Sequence, residues 1–183
     1  QRFAEDLPIE VTAELYSRIA GVANDLGLDA TCSEISELIL ERLSQLPASV
    51  NNARKMLKPI ALVGLHKGVD GALRKLRSLP DPNDKDPDYS AAFWSAEAAI
   101  HVAMAQLAQA EDLYALSLGF AERFALYDGM SALQNNLGVC LMEQGRFDEA
   151  TTSLEAALRY AGDTSPPERS LPQDNLAILA FER

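Results

Sequence analysis

The chain has 183 residues, of which 48% are hydrophobic, two cysteines and a formal net charge of −11. That apolar content supports a real core and argues against wholesale disorder. The acidity argues against nucleic acid or an anionic membrane surface as a partner, and no apolar run approaches the roughly 18 to 20 residues that cross a bilayer.

Ala and Leu dominate while Thr and Val are sparse, which favours helix over sheet. Cys32 and Cys140 each fall in an apolar helical pattern, so buried reduced thiols and a cytoplasmic setting are expected. The chain starts at Gln1 with neither Met nor a basic-then-apolar leader, which reads as an excised or processed piece.

In chain order, Pro8 fits the first turn of a helix over 8–26. Its predicted buried stripe is Val11, Leu15, Ile19, Val22 and Leu26, and Gly27 stops it. Thr31 with Glu34 three residues later has the form of a capping box and predicts a second helix start. Ile35, Leu38, Ile39, Leu43 and Leu46 follow at helical spacing. Ser49 is the expected cap of a third helix that points Met56, Leu57, Ile60 and Val63 inward. Pro59 inside it predicts a kink or a late start. Gly64 and Gly68 bracket a turn. Ala72, Leu73, Leu76 and Leu79 then continue as a helix with Arg74, Lys75 and Arg77 outside.

Residues 80–88, with three prolines and four aspartates, are the clearest break. The division expected is helical hairpins over 1–80, an acidic Pro-rich linker over 81–89, and further hairpins over 90–183, in one continuous array. Ser90 is the expected cap of a helix running to about residue 108, with Trp94 and Ala98 four apart inside it. A turn over 109–112 and a helix over 113–127 follow, with Leu113, Leu116, Phe120, Phe124 and Tyr127 as bulk and Gly129 as the stop.

The stretch 131–162 carries the strongest pattern. Leu133, Leu137 and Leu141 recur at steps of four. Gly145 supplies a left-handed stop, and Asp148 and Glu149 favour a new helix start. Ala150, Leu154, Ala157, Leu158 and Ala161 form a second stripe ending at Gly162. Together Leu137-Gly138, Leu141, Gly145, Phe147, Ala150, Leu154 and Ala157 resemble the tetratricopeptide repeat. The resemblance implies that Gly138 and Ala150 let two helices approach closely, while Phe147 and Leu154 fill the gap to the next pair.

After a loop at Pro166 and Pro167, Ser170 is the expected cap of a last helix, with Pro172 in its first turn. Asn136-Leu137-Gly138 has an echo in Asn175-Leu176-Ala177, 39 residues on, and Ala98 precedes Gly138 by 40. A period near 40 resembles the longer class of the repeat, seen in kinesin light chains and bacterial signalling regulators. Residues 1–80 follow the pattern less well and read as degenerate hairpins. The fold implied is all-α, a right-handed α-α superhelix, because one hairpin cannot bury both apolar faces alone.

The resemblance implies a scaffold or regulatory module that binds a protein or peptide on its concave face. Asn136 and Asn175 are the candidate backbone clamps, since a carboxamide both donates and accepts. Asn135, Val139, Met142, Glu143, Ile178 and Phe181 would line the same face, while Ala96 interrupts the ladder. The alternative is a ligand- or signal-peptide-sensing domain of a larger bacterial signalling protein or transcription regulator; a helical enzyme is the remote one. Self-association through the last helix is expected if Leu176, Ile178, Leu179 and Phe181 are exposed.

No catalytic constellation, cofactor motif or metal-ligand spacing is present. His66, His101, Cys32 and Cys140 are not locally spaced as ligands. His66 reads as a turn residue and His101 as a packing residue. Asp84, Asp86 and Asp88 start like a calcium loop but lack its later Gly and Glu. Gly64, Gly68 and Gly71 lack the Lys-Ser/Thr ending of a phosphate loop.

Overall fold

The computed structural model describes residues 8–162 and 166–182. Among them the long regular elements are α-helices: α1 (Ile9–Asp25), α2 (Asp29–Leu43), α3 (Val50–His66), α4 (Val69–Leu76), α5 (Pro87–Ala103), α6 (Leu107–Arg123), α7 (Met130–Glu143), α8 (Phe147–Ala161) and α9 (Pro166–Glu182). A short 3-10 turn, Tyr127–Gly129, precedes α7. The all-α expectation holds. The chain divides into two units, Gln1–Asp81 and Pro82–Arg183.

One closure recurs where helices stop. Gly27, Ala105, Ala125 and Gly145 all take left-handed φ, at 66°, 56°, 54° and 73°. The next residue then donates its N–H five residues back: Leu28 to Ala23, Gln106 to His101, Leu126 to Ala121 and Arg146 to Leu141, at 2.8 to 3.0 Å. These bonds satisfy carbonyls that a helix end leaves open. At Gly27, Ala105 and Gly145 three residues separate the two helices, giving the tight hairpins α1–α2, α5–α6 and α7–α8, whereas Ala125 leads into the 3-10 turn before α7.

In the first unit α1 packs on α2, α2 on α3 and α3 on α4. The predicted α1 stripe is corrected. Ala20 and Ala23 are buried with Cys32 and Leu62, whereas Val11, Leu15, Ile19 and Leu26 are exposed; the Val22 side chain lies outside the described residues. The neighbours α2 and α3 meet the small-residue side of α1, and no described element covers the aliphatic side. The capping-box expectation is corrected too. The helix starts at Asp29, with Leu28 as N-cap, so Thr31 lies inside it. Ser49 does cap α3, accepting the N–H of Asn52 at 3.2 Å. The helix runs through Pro59 with no late start, because Met56, Leu57, Pro59, Ile60 and Leu62 are all buried around the missing hydrogen bond. His66, the last residue of α3, reaches Asn24 Oδ1 (2.9 Å) and Asp29 Oδ1 (3.3 Å), tying that end to the α1–α2 turn.

In the second unit α5 pairs with α6 and α7 with α8, α6 packs on α7, and α9 packs on α8 and α7. Helix α5 starts at Pro87 in its first turn, not at Ser90. Ser90 is buried. Its hydroxyl donates to the Asn83 carbonyl (2.8 Å) and accepts the Asn83 N–H (2.7 Å), while Asn83 Oδ1 accepts from the Lys85 N–H at 3.0 Å. Asp84 pairs with Arg123 of α6 at 3.4 Å. The Asp- and Pro-rich tract is thus held against the hairpin it precedes.

The boundary between α5 and α6 falls about six residues before the expected one, because the left-handed residue is Ala105 rather than a glycine. Trp94 meets Phe120 edge to face and Phe120 meets Phe124 at a tilt, at centroid separations of 4.6 and 5.3 Å. Ser170 lies inside α9, which starts at Pro166, and Pro172 is buried. Leu179, expected outside, is 2% exposed and packs with Leu141, Ala150 and Leu154. The large hydrophobic residues of α9 that face solvent are Leu171, Ile178 and Phe181.

Candidate partner-binding face on α5, α7 and α9

Helix α7 is buried on most sides. Met130, Ser131, Leu133, Asn135, Gly138, Cys140 and Leu141 are all enclosed. The stripe left outside is Ala132, Asn136, Val139 and Glu143, at steps of four, three and four, which is one side of a helix. Ala132 and Glu143 are exposed; Asn136 and Val139 are half-buried. The Asn136 carboxamide has no side-chain hydrogen bond among the described residues. Helix α9 has a matching outer stripe of Leu171, Asp174, Ile178 and Phe181, with Phe181 91% and Ile178 49% exposed. Forty residues before the α7 stripe stand Ala92, Ala96, Ala99 and Ala103 on α5; Ala96 is buried, Ala92 and Ala99 are half-buried and Ala103 is exposed.

The predicted asparagine pair is arranged differently from its sequence register. Asn175 Nδ2 donates to Asn135 Oδ1 at 2.9 Å, and Asn135 is 8% exposed. That bond ties α9 to α7 at the seam between their outer stripes. Asn136 stands one residue further round, with its amide unengaged. Met142 leans into the cluster of Leu141, Leu154 and Leu179.

At the α7–α8 turn the two hairpins are joined by a polar cluster that sequence reasoning missed. Arg146, the N-cap of α8, donates from Nη1 to Glu111 Oε2 of α6 (2.6 Å), and from Nε and Nη2 to the two oxygens of Glu149 (2.7 and 2.5 Å). Gln144 Nε2 adds a bond to Glu111 at 3.1 Å. The Arg146 hydrogen bonds hold the Glu149 carboxyl below the usual carboxylate range. Only the Arg146–Glu149 spacing of three was visible locally; Glu111 lies 35 residues away.

Cys140 donates to the Leu107 carbonyl at 3.5 Å. Burial pushes its thiol up, partly offset by the Gln144 amide. Burial also pushes up the Tyr114 phenol in the same cluster, with Cys140 adding to it. These are inert core groups rather than nucleophiles. His101, expected in packing, is half-buried and meets Gln106 Oε1 at 2.6 Å across the α5–α6 turn. Among the described residues no three His, Cys, Asp or Glu side chains gather to hold a metal, and no helix is long and apolar enough to cross a membrane.

The α7–α8 contact has the close approach that the resemblance implied. A Cβ on Gly138 would stand 2.7 Å from Leu154 Cγ, and Ala150 beside it is fully buried. Residues 131–164 match the family model of the tetratricopeptide repeat. The matched repeat comprises α7, its Gly145 turn and α8, with Phe147 packed against the cluster of Leu141, Ala150, Leu154 and Leu179. The crystal structure of BtubC (BKLC) from P. vanneervenii is similar over 97% of this chain and 67% of that chain, with a TM-score of 0.50 and 20% sequence identity. At that identity the likeness concerns the helical fold alone. None of the curated proteins matches the chain.

Proposed function

We propose that the second unit is a non-catalytic binding module that takes a segment of a protein partner along the outer stripes of α7 and α9, beside the alanines of α5. Asn136 carries the reading. It is a half-buried carboxamide with both donor and acceptor capacity unengaged, set between the small side chains of α5 and the exposed aliphatic and aromatic residues of α9. Val139, Ile178 and Phe181 supply apolar contact, Glu143 closes one end, and Met142 stiffens the wall from behind. Asn135 and Asn175 set the distance between α7 and α9, a positioning role in place of the clamp expected of Asn175. The matched repeat supports protein binding as the class of activity.

The test compares Asn136→Ala with Tyr160→Ala, the latter on the exposed side of α8. For a purified partner, Asn136→Ala should weaken binding by roughly five- to thirtyfold, the worth of a hydrogen bond or two. Tyr160→Ala should leave it unchanged. Equal affinity for wild type and Asn136→Ala would remove the clamp. The exposed pair Ile178 and Phe181 is also what remains of the expected self-association through α9. Light scattering of wild type beside Phe181→Asp separates the two uses. A dimer lost in the variant supports pairing, and a monomer at every concentration refutes it.

A further inference from the structure

The acidity of the chain is unevenly placed. Residues 82–183 hold six Lys and Arg against sixteen Asp and Glu, a net of −10, so residues 1–81 contribute only −1 to the total of −11. Within the second unit, α5 and α7 contain neither Lys nor Arg, and α9 contains only Arg169, which donates to the Gly162 carbonyl at 3.0 Å. Arg146 is engaged by Glu111 and Glu149. The charges on the outer stripes themselves are Glu143 and Asp174, both exposed. Among the described residues, a carboxylate laid on this face meets no cation and two like charges, whereas a Lys or Arg meets two partners.

The rest of the face is uncharged and in large part apolar. On α5 Ala103 is exposed and Ala92 and Ala99 are half-buried, Val139 stands half-buried on α7, and Leu171, Ile178 and Phe181 project from α9. Apolar contact supplies attraction that does not discriminate by charge. Discrimination therefore falls to the flanks of the bound segment, where electrostatic complementarity sets specificity and encounter rate.

We propose that this face, on the reading above that it binds polypeptide, selects an aliphatic segment flanked by Lys or Arg and rejects one with acidic flanks or a free terminal carboxylate. Three probes test it by fluorescence anisotropy on the wild-type chain. Each has one Leu/Val/Ala core; the first has Lys flanks and an amidated end, the second Glu flanks and an amidated end, and the third Lys flanks and a free carboxylate end.

The Lys-flanked amide should bind on the order of tenfold more tightly than the Glu-flanked one, with the carboxylate form between them. Added salt should narrow the gap, because exposed charges are screened. Glu143→Lys with Asp174→Lys, two exposed sites remote from the core, should reverse the order. Equal binding of the Lys and Glu forms, or tighter binding of the Glu form, overturns the selectivity while leaving a binding face. Failure of all three probes on a folded chain overturns the binding face as well.

Discussion

Gly138 and Leu154 approach so closely that a methyl group on Gly138 would lie 2.7 Å from Leu154 Cγ and 2.8 Å from Cδ2. Leu154 is fully buried and cannot swing aside without opening the cluster of Leu141, Ala150 and Leu179. Two effects oppose each other in Gly138→Ala. Helix propensity favours Ala by about 1 kcal/mol, while overpacking a filled core costs about 1 to 3 kcal/mol. The clash should win, lowering stability by about 1 kcal/mol in urea unfolding. Gly119, inside α6, has nothing within 4 Å of the same position and is exposed. Gly119→Ala should therefore raise stability by about 0.5 to 1 kcal/mol. The same sign for both would mean that the α7–α8 approach is looser than described.

Ala105 and Ala125 hold left-handed φ without being glycine. Such a conformation costs an alanine about 1 to 2 kcal/mol, while a glycine there adds back about 0.4 to 1 kcal/mol of chain entropy in the unfolded state. Ala105→Gly should be stabilising, by up to about 1 kcal/mol, and Ala125→Gly likewise. A drop in the urea midpoint for both would contradict the turn closure.

Arg146 joins three segments, so its loss should be felt as a change in pH dependence. The Glu149 carboxyl is lowered by its bonds to Arg146. A lowered carboxyl contributes stability that is present above its unfolded value, about pH 4.3, and lost as pH falls through the folded value. Arg146→Met should flatten that part of the acid limb and make the remaining stability less sensitive to salt. Superimposable acid limbs would show that the cluster contributes nothing measurable.

Cys140 and Tyr114 act at the other end of the scale. Both are raised by burial. Their contribution is therefore fully present below the unfolded values, about pH 8.5 for the thiol and about 10 for the phenol, and is lost as pH rises past them. Stability should fall above about pH 8.5, and Cys140→Ala should delay the onset at some cost in packing. Native Cys140 should also resist alkylation at neutral pH. Labelling as fast as in urea would refute its enclosure.

How much of this was legible in the sequence depended on whether local chemistry matched local structure. Gly145 and Gly162 both have positive φ and bound α8, and Ser49 caps α3. Those ends were readable because glycine and serine are suited to them. Ala105 and Ala125 do the same work with a residue that favours helix, so the α5–α6 boundary was placed late. Pro166 and Pro167 read as loop yet open α9, since proline is compatible with a first turn. Periodicity found an aliphatic stripe on α1 but could not say which side its neighbours occupy. In the candidate site, spacing brought Asn136 and Asn175 together, whereas the structure bonds Asn175 to Asn135, one position away. A shift of one residue rotates a side chain by more than a quarter turn around a helix, too fine for repeat alignment to resolve.

That bridge is itself testable. Asn135→Ala removes the acceptor for Asn175 and should cost about 1 kcal/mol. Amide exchange should quicken in α9 more than in α8. Uniform exchange across both would show that α9 is held by Leu179 alone.

The most direct measurement is amide hydrogen exchange on the wild-type chain with and without the Lys-flanked peptide. Slowed exchange should appear in α7 and α9 around Asn136, Val139 and Ile178, with α8 around Tyr160 unchanged. Protection confined to α8, or spread over α1 to α4 with none on α7 and α9, would contradict a binding face on the outer stripes of the second unit.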